Sequence, residues 1–351
     1  MITIFNCAPD NICGFSYAIT LMQTFDIGVT INNEDMIIAS VSISAVQKVL
    51  TGFNGYLFLD QDSNHSKEQY VGQRIISKHD LSLWNRYFKT TKTYMYRNDI
   101  EYVFCLAPAK ENVLSTYYPF KKSPKTSVEQ LLEINDNIIN PVEFLREIGD
   151  CSYSKTDTHW SDFAALQVAE YVYKKFKKTS IDFPQLRCPF YVQLSYGDLG
   201  VKTTPPKSEK ILKADFSIIN QKLIFDNEVK NRGWVRVFQN NDSISNEVVV
   251  FFGDSYSINM LLYYVNKYRR VVHVFSGASI DCNIIEHEKP TKIIIEIASR
   301  FIIMPPRENF CFTSEISRKY KKIFSDNSNS LHESSLSFYF NKVNDLKSSM
   351  H

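Results

Sequence analysis

Two short stretches of this chain hold residue types that can carry out acyl chemistry together. The first is Gly253-Asp254-Ser255-Tyr256-Ser257, which follows the apolar run Glu247 to Phe252 and precedes a helical pattern, INMLLYYVNKY. A strand-to-helix turn of this kind lifts the Ser255 hydroxyl out at the carboxyl end of a sheet, beside a helix N-terminus that favours negative charge. Gly253 suits a tight turn, and the backbone N–H groups on either side of Ser255, toward Gly253 and Tyr256, are placed to form part of an oxyanion hole. The structural alternative is that Asp254 and Ser255 are ordinary helix caps. The second stretch is Asp157-Thr158-His159-Trp160, after the polar loop CSYSKT and before an amphipathic pattern starting at Ser161. A serine hydroxyl is a weak nucleophile until an imidazole takes its proton, and the imidazole needs a carboxylate to fix its tautomer. His159 and Asp157 supply both groups, although a direct bond between residues two apart requires a bent backbone. Here the alternative is a loop histidine with Asp157 capping the next helix.

Other residues near these motifs have two readings each. Arg300, four positions after Glu296, is expected either to pair with that carboxylate or to hold an acceptor in the site. Trp160 is expected either to stack on a sugar or to fill the core. Asp62-Ser63-Asn64-His65 is a second source of a base. His273 sits inside an apolar strand and reads as a core residue. The lysines at 174, 175, 177 and 178 read as a solvated helix end, the anion-binding alternative being a glycan or CoA phosphate.

The elements that must position these residues are legible as alternation. Buried strands are expected at Tyr102 to Ala107, Glu247 to Phe252, Arg270 to Phe275 and Lys292 to Ile297. Helices are expected at Leu81 to Tyr96, Thr126 to Ile134, Pro141 to Ile148, Ser161 to Phe176 and Ser257 to Tyr268. Strands alternating with helices predict an α/β fold with a mainly parallel sheet covered on both faces. Residues of about 190 to 240 read instead as an inserted extended region with a hairpin. One catalytic domain is expected over 1–325 with its core at 50–305, and 326–351 reads as a tail.

The bulk properties exclude other classes. With 351 residues and 44% hydrophobic content, the chain buries a core without disulfides, and 40 Lys and Arg against 38 Asp and Glu give no field selecting nucleic acid. Its seven scattered cysteines lack metal-ligand spacing and read as free thiols, so no metal is expected. No signal peptide or membrane-spanning run is evident, and a cytoplasmic location is expected, or a periplasmic one if a leader has been removed.

DTHW and GDSYS, in that order and roughly a hundred residues apart, resemble the alginate O-acetyltransferase group of SGNH-hydrolase-like proteins. The GYLFL stretch at 55–59 with Asp62 and Asn64, Ala107-Pro108-Ala109-Lys110, Gly197-Asp198-Leu199-Gly200, and Glu296 with Arg300 agree with that group's pattern. The resemblance implies an SGNH-like, flavodoxin-like fold, with Ser255 as nucleophile, His159 as base and Asp157 as orienting carboxylate. It further implies acetyl transfer through an acetyl-serine to a bacterial surface polysaccharide. Acetyl-CoA is the expected donor, with no bound cofactor, and association with a capsule-synthesis complex is the expected setting. A carbohydrate esterase using the same three residues is the alternative, and a non-catalytic glycan-binding module the third.

Overall fold

The computed structural model of the protein describes residues 27–31, 37–41, 48–176, 188–312 and 314–315. The chain divides after Gln47 into two compact units. In the first, β1 (Ile27–Ile31) and β2 (Ile37–Val41) run antiparallel, with Ile27 opposite Val41.

The second unit carries all the residues singled out above. It begins with the hairpin of β3 (Lys48–Thr51) and β4 (Leu57–Asp60). β5 (Glu101–Ala107) and β6 (Ile138–Ile139) follow, then a second hairpin of β7 (Phe190–Ser195) and β8 (Glu209–Ala214). The remaining strands are β9 (Leu223–Asp226), β10 (Val235–Gln239), β11 (Ser245–Gly253), β12 (Tyr268–Phe275) and β13 (Lys292–Ala298). Seven of these form one sheet in the order β6-β5-β13-β11-β12-β10-β9. From β6 to β12 all neighbours are parallel, and β10 and β9 add an antiparallel edge.

The central strands are apolar nearly throughout because both faces of the sheet are covered. Along β11, Val249 and Phe251 join one core while Val250 and Phe252 join the other, as the period of two requires. The first core takes the helices Asp162–Tyr173 and Ser257–Lys267, the second Lys78–Arg97 and Cys282–Glu288. The crossover from β11 to β12 therefore covers one face, and that from β12 to β13 covers the other. β11 lies between these two strands, so its carboxyl end is the switch point where open α/β sheets leave a crevice.

Local caps fix the helix starts. Ser77 accepts the N–H of Asp80, Thr126 and Glu129 form a reciprocal capping box, and Ser161 accepts the N–H of Ala164. One expectation needs correction: only the first part of the 190–240 region stands apart as a hairpin. Its second part, β9 and β10, extends the main sheet, because Val237 and Phe238 are buried against the β12 edge. Lys174 pairs with Glu170 and Lys175 lies over Tyr171, so this helix end is solvated, while Lys177 and Lys178 fall outside the described residues, as does the 326–351 tail. Among the described residues no helix is long and apolar enough to cross a membrane, and the described cysteines are free thiols.

Candidate active site

Gly253 ends β11 in a space that admits no side chain. A Cβ there would fall 2.3 Å from Ser257 Oγ and 3.0 Å from Glu296 Oε2. The turn that follows is pinned from below by Asp254, which is buried. Its N–H donates to Glu296 Oε2 at 2.9 Å, and its carboxylate accepts the N–H groups of Tyr256 at 3.0 Å and Ala298 at 2.7 Å. Ser255 caps nothing, because the helix Ser257–Lys267 starts without a side-chain cap. Ser257 Oγ donates to the Asp254 carbonyl at 2.7 Å and stands 2.9 Å from His273 Nε2. Since the single hydroxyl proton is used, His273 must carry its own proton on Nε2. Among the described residues its Nδ1 has no partner, so the core reading of His273 holds for its burial but only half for its bonding. Burial, with Arg236 nearby, keeps this imidazole well below its ordinary pKa.

Across the cleft, Ser255 Oγ lies 2.8 Å from His159 Nε2, and His159 Nδ1 lies 2.8 Å from Asp157 Oδ1. The bent backbone that a two-residue separation demands is present. The same Asp157 oxygen also accepts the backbone N–H of His159 at 2.9 Å, folding the carboxylate back over its own chain. Burial works against the Asp157 charge, but the His159 ring and the N–H groups of His159 and Asp198 outweigh it and hold the carboxyl well below the usual carboxylate range. Asp157 does not cap the next helix; Ser161 does.

The segment bearing these residues is braced by Gly197-Asp198-Leu199-Gly200, whose part the sequence did not disclose. Asp198 accepts from Thr158 N at 2.7 Å and Thr158 Oγ1 at 2.6 Å, and its own N–H donates to Asp157 Oδ2 at 3.2 Å. Gly197 has φ +60, and a Cβ there would fall 2.2 Å from the Thr156 carbonyl oxygen. Asp157, His159 and Asp198 are close enough to resemble a metal-ligand cluster. All four carboxylate oxygens, however, already accept protons from His159, Asp198 or Thr158.

The expected binding residues separate. Tyr256 and Trp160 are buried at 1% and 2% exposure. The Tyr256 hydroxyl donates to the Thr158 carbonyl at 2.6 Å, and Trp160 Nε1 donates to the Tyr256 carbonyl at 3.1 Å. Trp160 thus takes the core reading instead of sugar stacking, locking the two motifs together. The Tyr256 N–H is taken by Asp254 and is not an oxyanion donor, whereas the N–H of Ser255 donates to no group among the described residues. Arg300 corrects both of its readings. It makes no ion pair with Glu296, which points back to the Asp254 N–H, and it lies over Phe301 and Tyr256 at 4.8 and 5.5 Å. The short turn Ser299–Phe301 places it beside small cavities shared with Glu111, and it does not line the cleft that holds Ser255. His65 is exposed at the start of the Ser66–Tyr70 helix, where Asp62 accepts the N–H of Ser66, so this pair is local structure.

The cleft itself measures about 660 Å³ and places Ser255, His159 and Asp157 among Tyr56, Phe163, Asn259 and the β8 residues Glu209 to Lys213. Its size suits a small ligand or a piece of a polymer.

A mainly parallel sheet covered by helices on both faces, with its crevice at the β11 switch point, defines an open, doubly wound α/β fold. No known sequence-family profile matches the chain, and no curated protein matches it by sequence. Its fold is similar to that of PatB1 from Bacillus cereus. The structure of that protein with a sulfonyl adduct superposes with TM-score 0.57 at 12% identity, covering 74% of this chain and 96% of PatB1. A second PatB1 structure gives TM-score 0.54 at 12% identity, covering 76% and 99%. The O-acetyltransferase domain of Pseudomonas putida AlgJ superposes more loosely, with TM-score 0.44 at 14% identity over 79% of this chain and 99% of that one. At such identities the likeness to PatB1 is one of fold.

Proposed function

We propose that this chain is an O-acetyltransferase that carries an acetyl group on Ser255 and delivers it to a hydroxyl of a polysaccharide. The observation that carries this reading is the unbroken series Ser255 Oγ, His159 Nε2, His159 Nδ1, Asp157 Oδ1, with both links at 2.8 Å and the hydroxyl opening into the cleft. His159 takes the Ser255 proton as Oγ attacks the donor carbonyl. Asp157 holds the imidazole in the Nδ1–H tautomer and stabilises the imidazolium. The unpaired N–H of Ser255 faces the oxyanion, and the leaving group departs with the proton held by His159. A sugar hydroxyl then gives its proton to His159 and attacks the acetyl-serine, which restores Ser255. Acetyl-CoA is the donor in this reading, and a capsular or related surface polysaccharide the acceptor.

Incubation with acetyl-CoA and a panel of capsular oligosaccharides, followed by mass spectrometry, tests this directly. The expected result is acetyl gain on a sugar, lost by on the order of 10⁴-fold or more in Ser255→Ala. Release of free acetate alone across the panel would assign hydrolysis, with water as the acceptor. Undiminished activity in Ser255→Ala would remove Ser255 from the chemistry.

A further inference from the structure

Lys110 follows β5 and is 2% exposed. Its ammonium has three protons, and each has a backbone acceptor: the carbonyl of Leu57 at 2.8 Å, of Ser154 at 2.9 Å and of Lys155 at 3.1 Å. Leu57 belongs to β4, whereas Ser154 and Lys155 open the segment that carries Asp157 and His159. The Leu57 N–H donates in turn to the Lys155 carbonyl at 2.8 Å, so strand and segment lie side by side with the ammonium between them. The rings of Phe58 and Tyr56 stand 5.4 and 5.9 Å from Nζ. No carboxylate pairs directly with Lys110 among the described residues; Asp157, Asp198, Glu111 and Glu209 act on it from farther away.

We propose that Lys110 is a positioning residue whose charged ammonium, donating to three carbonyls at once, holds the Ser154–Lys155 turn against β4 and so sets Asp157 and His159 relative to Ser255. This rests on the reading of those three residues as catalytic. The charge matters because a neutral amine has two protons and a lone pair. Deprotonation would turn that lone pair toward a carbonyl oxygen, replacing one of the three bonds by repulsion.

Burial lowers the Lys110 pKa to about 8, against the pull of Asp157, Asp198, Glu111 and Glu209. The other charged or titratable groups facing this region are Tyr56, Lys155, Tyr256 and Arg300, the last two across a small cavity shared with Lys110 and Glu111. A serine–histidine–aspartate site by itself gains activity as its histidine loses a proton and then holds a plateau. With Lys110 as the clamp, kcat should fall again as pH passes about 8. Stability should move the other way. The folded pKa lies below the ordinary 10.5, so between about 8 and 10.5 the unfolded chain binds more protons and the fold gains relative stability as pH rises. A lysine that only fills space would not set activity and stability in opposition.

The test uses p-nitrophenyl acetate as acyl donor with the whole chain, following kcat, KM and Tm from about pH 6 to about pH 10 for wild type, Lys110→Met, Lys110→Arg and Ser255→Ala. Lys110→Met is expected to lower kcat roughly 10- to 100-fold with KM within about twofold, the cost of a small misplacement of reacting groups. The fall above about pH 8 should be present in wild type and absent from Lys110→Met and from Lys110→Arg, whose charge persists, and Lys110→Arg should keep more activity than Lys110→Met. If neither variant folds, the wild-type profile still decides: a kcat level from about pH 7.5 to about pH 10 overturns the proposal. A wild-type kcat in folded Lys110→Met overturns it as well. Inactive Ser255→Ala beside fully active Lys110→Met would sink the Lys110 proposal alone, whereas fully active Ser255→Ala would sink the reading of the site beneath it.

Discussion

One oxygen of Asp157 receives both the ring proton and the backbone N–H of His159, and its other oxygen receives the Asp198 N–H. An amide cannot accept on both sides. In Asp157→Asn, one face must present an NH₂ either to His159 or to Asp198, and in both cases donor meets donor. If the amide turns its nitrogen to the imidazole, it selects the wrong tautomer. The expected loss in kcat is on the order of 10³- to 10⁴-fold, measured as acetyl release or transfer at neutral pH. A loss under tenfold would show that Asp157 does not orient the base. The same bonds bear on stability. Because the folded Asp157 pKa lies below its ordinary 3.8, its contribution is present above that pH and fades as pH falls further. Melting curves from about pH 5 down to about pH 2 should therefore show less acid sensitivity in Asp157→Asn than in wild type.

At the scale of elements, the site is a meeting of two turns that have little hold on each other except through bracing side chains. The β11 turn is tied down by Asp254 and by Trp160, and the 154–160 segment by Asp198 and Tyr256. Gly197 is the tightest joint in this arrangement, since it combines φ +60 with a Cβ position 2.2 Å from Thr156 O. Gly149 has a similar φ of +67 with nothing near its Cβ position. Each alanine variant incurs positive-φ backbone strain on the order of 1 to 3 kcal/mol, but only Gly197→Ala must also displace Thr156 and the Asp198 bonds beside it. Both should lower Tm by a few degrees. Gly197→Ala alone should lower kcat, by at least about tenfold for a shift of reacting groups on the ångström scale. Equal activity in the two variants would show that the Gly197 turn does not position Asp157.

At the scale of the molecule, the sheet carries an acid in its dry interior. Glu296 on β13 is fully buried, with Oε1 lacking a hydrogen-bond partner among the described residues, and burial together with the neighbouring Asp254 charge raises its pKa well above the ordinary 4.5. Two carboxylates in contact there do not both ionise. Glu296 therefore keeps a proton that the unfolded chain would release. Stability therefore declines as pH rises above about 4.5 through this group. Glu296→Gln keeps the acceptor for the Asp254 N–H without that proton. Its Tm should exceed that of wild type at about pH 8, with the gap closing toward about pH 4.5; a variant less stable than wild type at alkaline pH would overturn this assignment.

What the sequence determined by itself was local and periodic. Apolar runs of strand length set β5, β11, β12 and β13, and the caps Ser77, Thr126 and Ser161 set helix starts within a few residues, because these signals lie within one turn or one strand of what they control. The spacing of DTHW and GDSYS also named Ser255, His159 and Asp157, the three side chains that the fold links in series. Only the tertiary structure decided which distant groups met. The four-residue spacing of Glu296 and Arg300 pointed to a pair, yet β13 lies beside β11, so Glu296 went to the Asp254 N–H, and the turn after the strand carried Arg300 to Tyr256. Trp160 looked available to a ligand until Tyr256 closed over it, and β9 and β10 read as inserted pieces until the free edge of β12 bound them. Lys110 and Asp198 were visible as motif letters without roles. Their partners lie about 40 to 50 positions away in the chain, and hydrogen bonds across such distances are set by strand order and loop packing, which leave no period in the sequence.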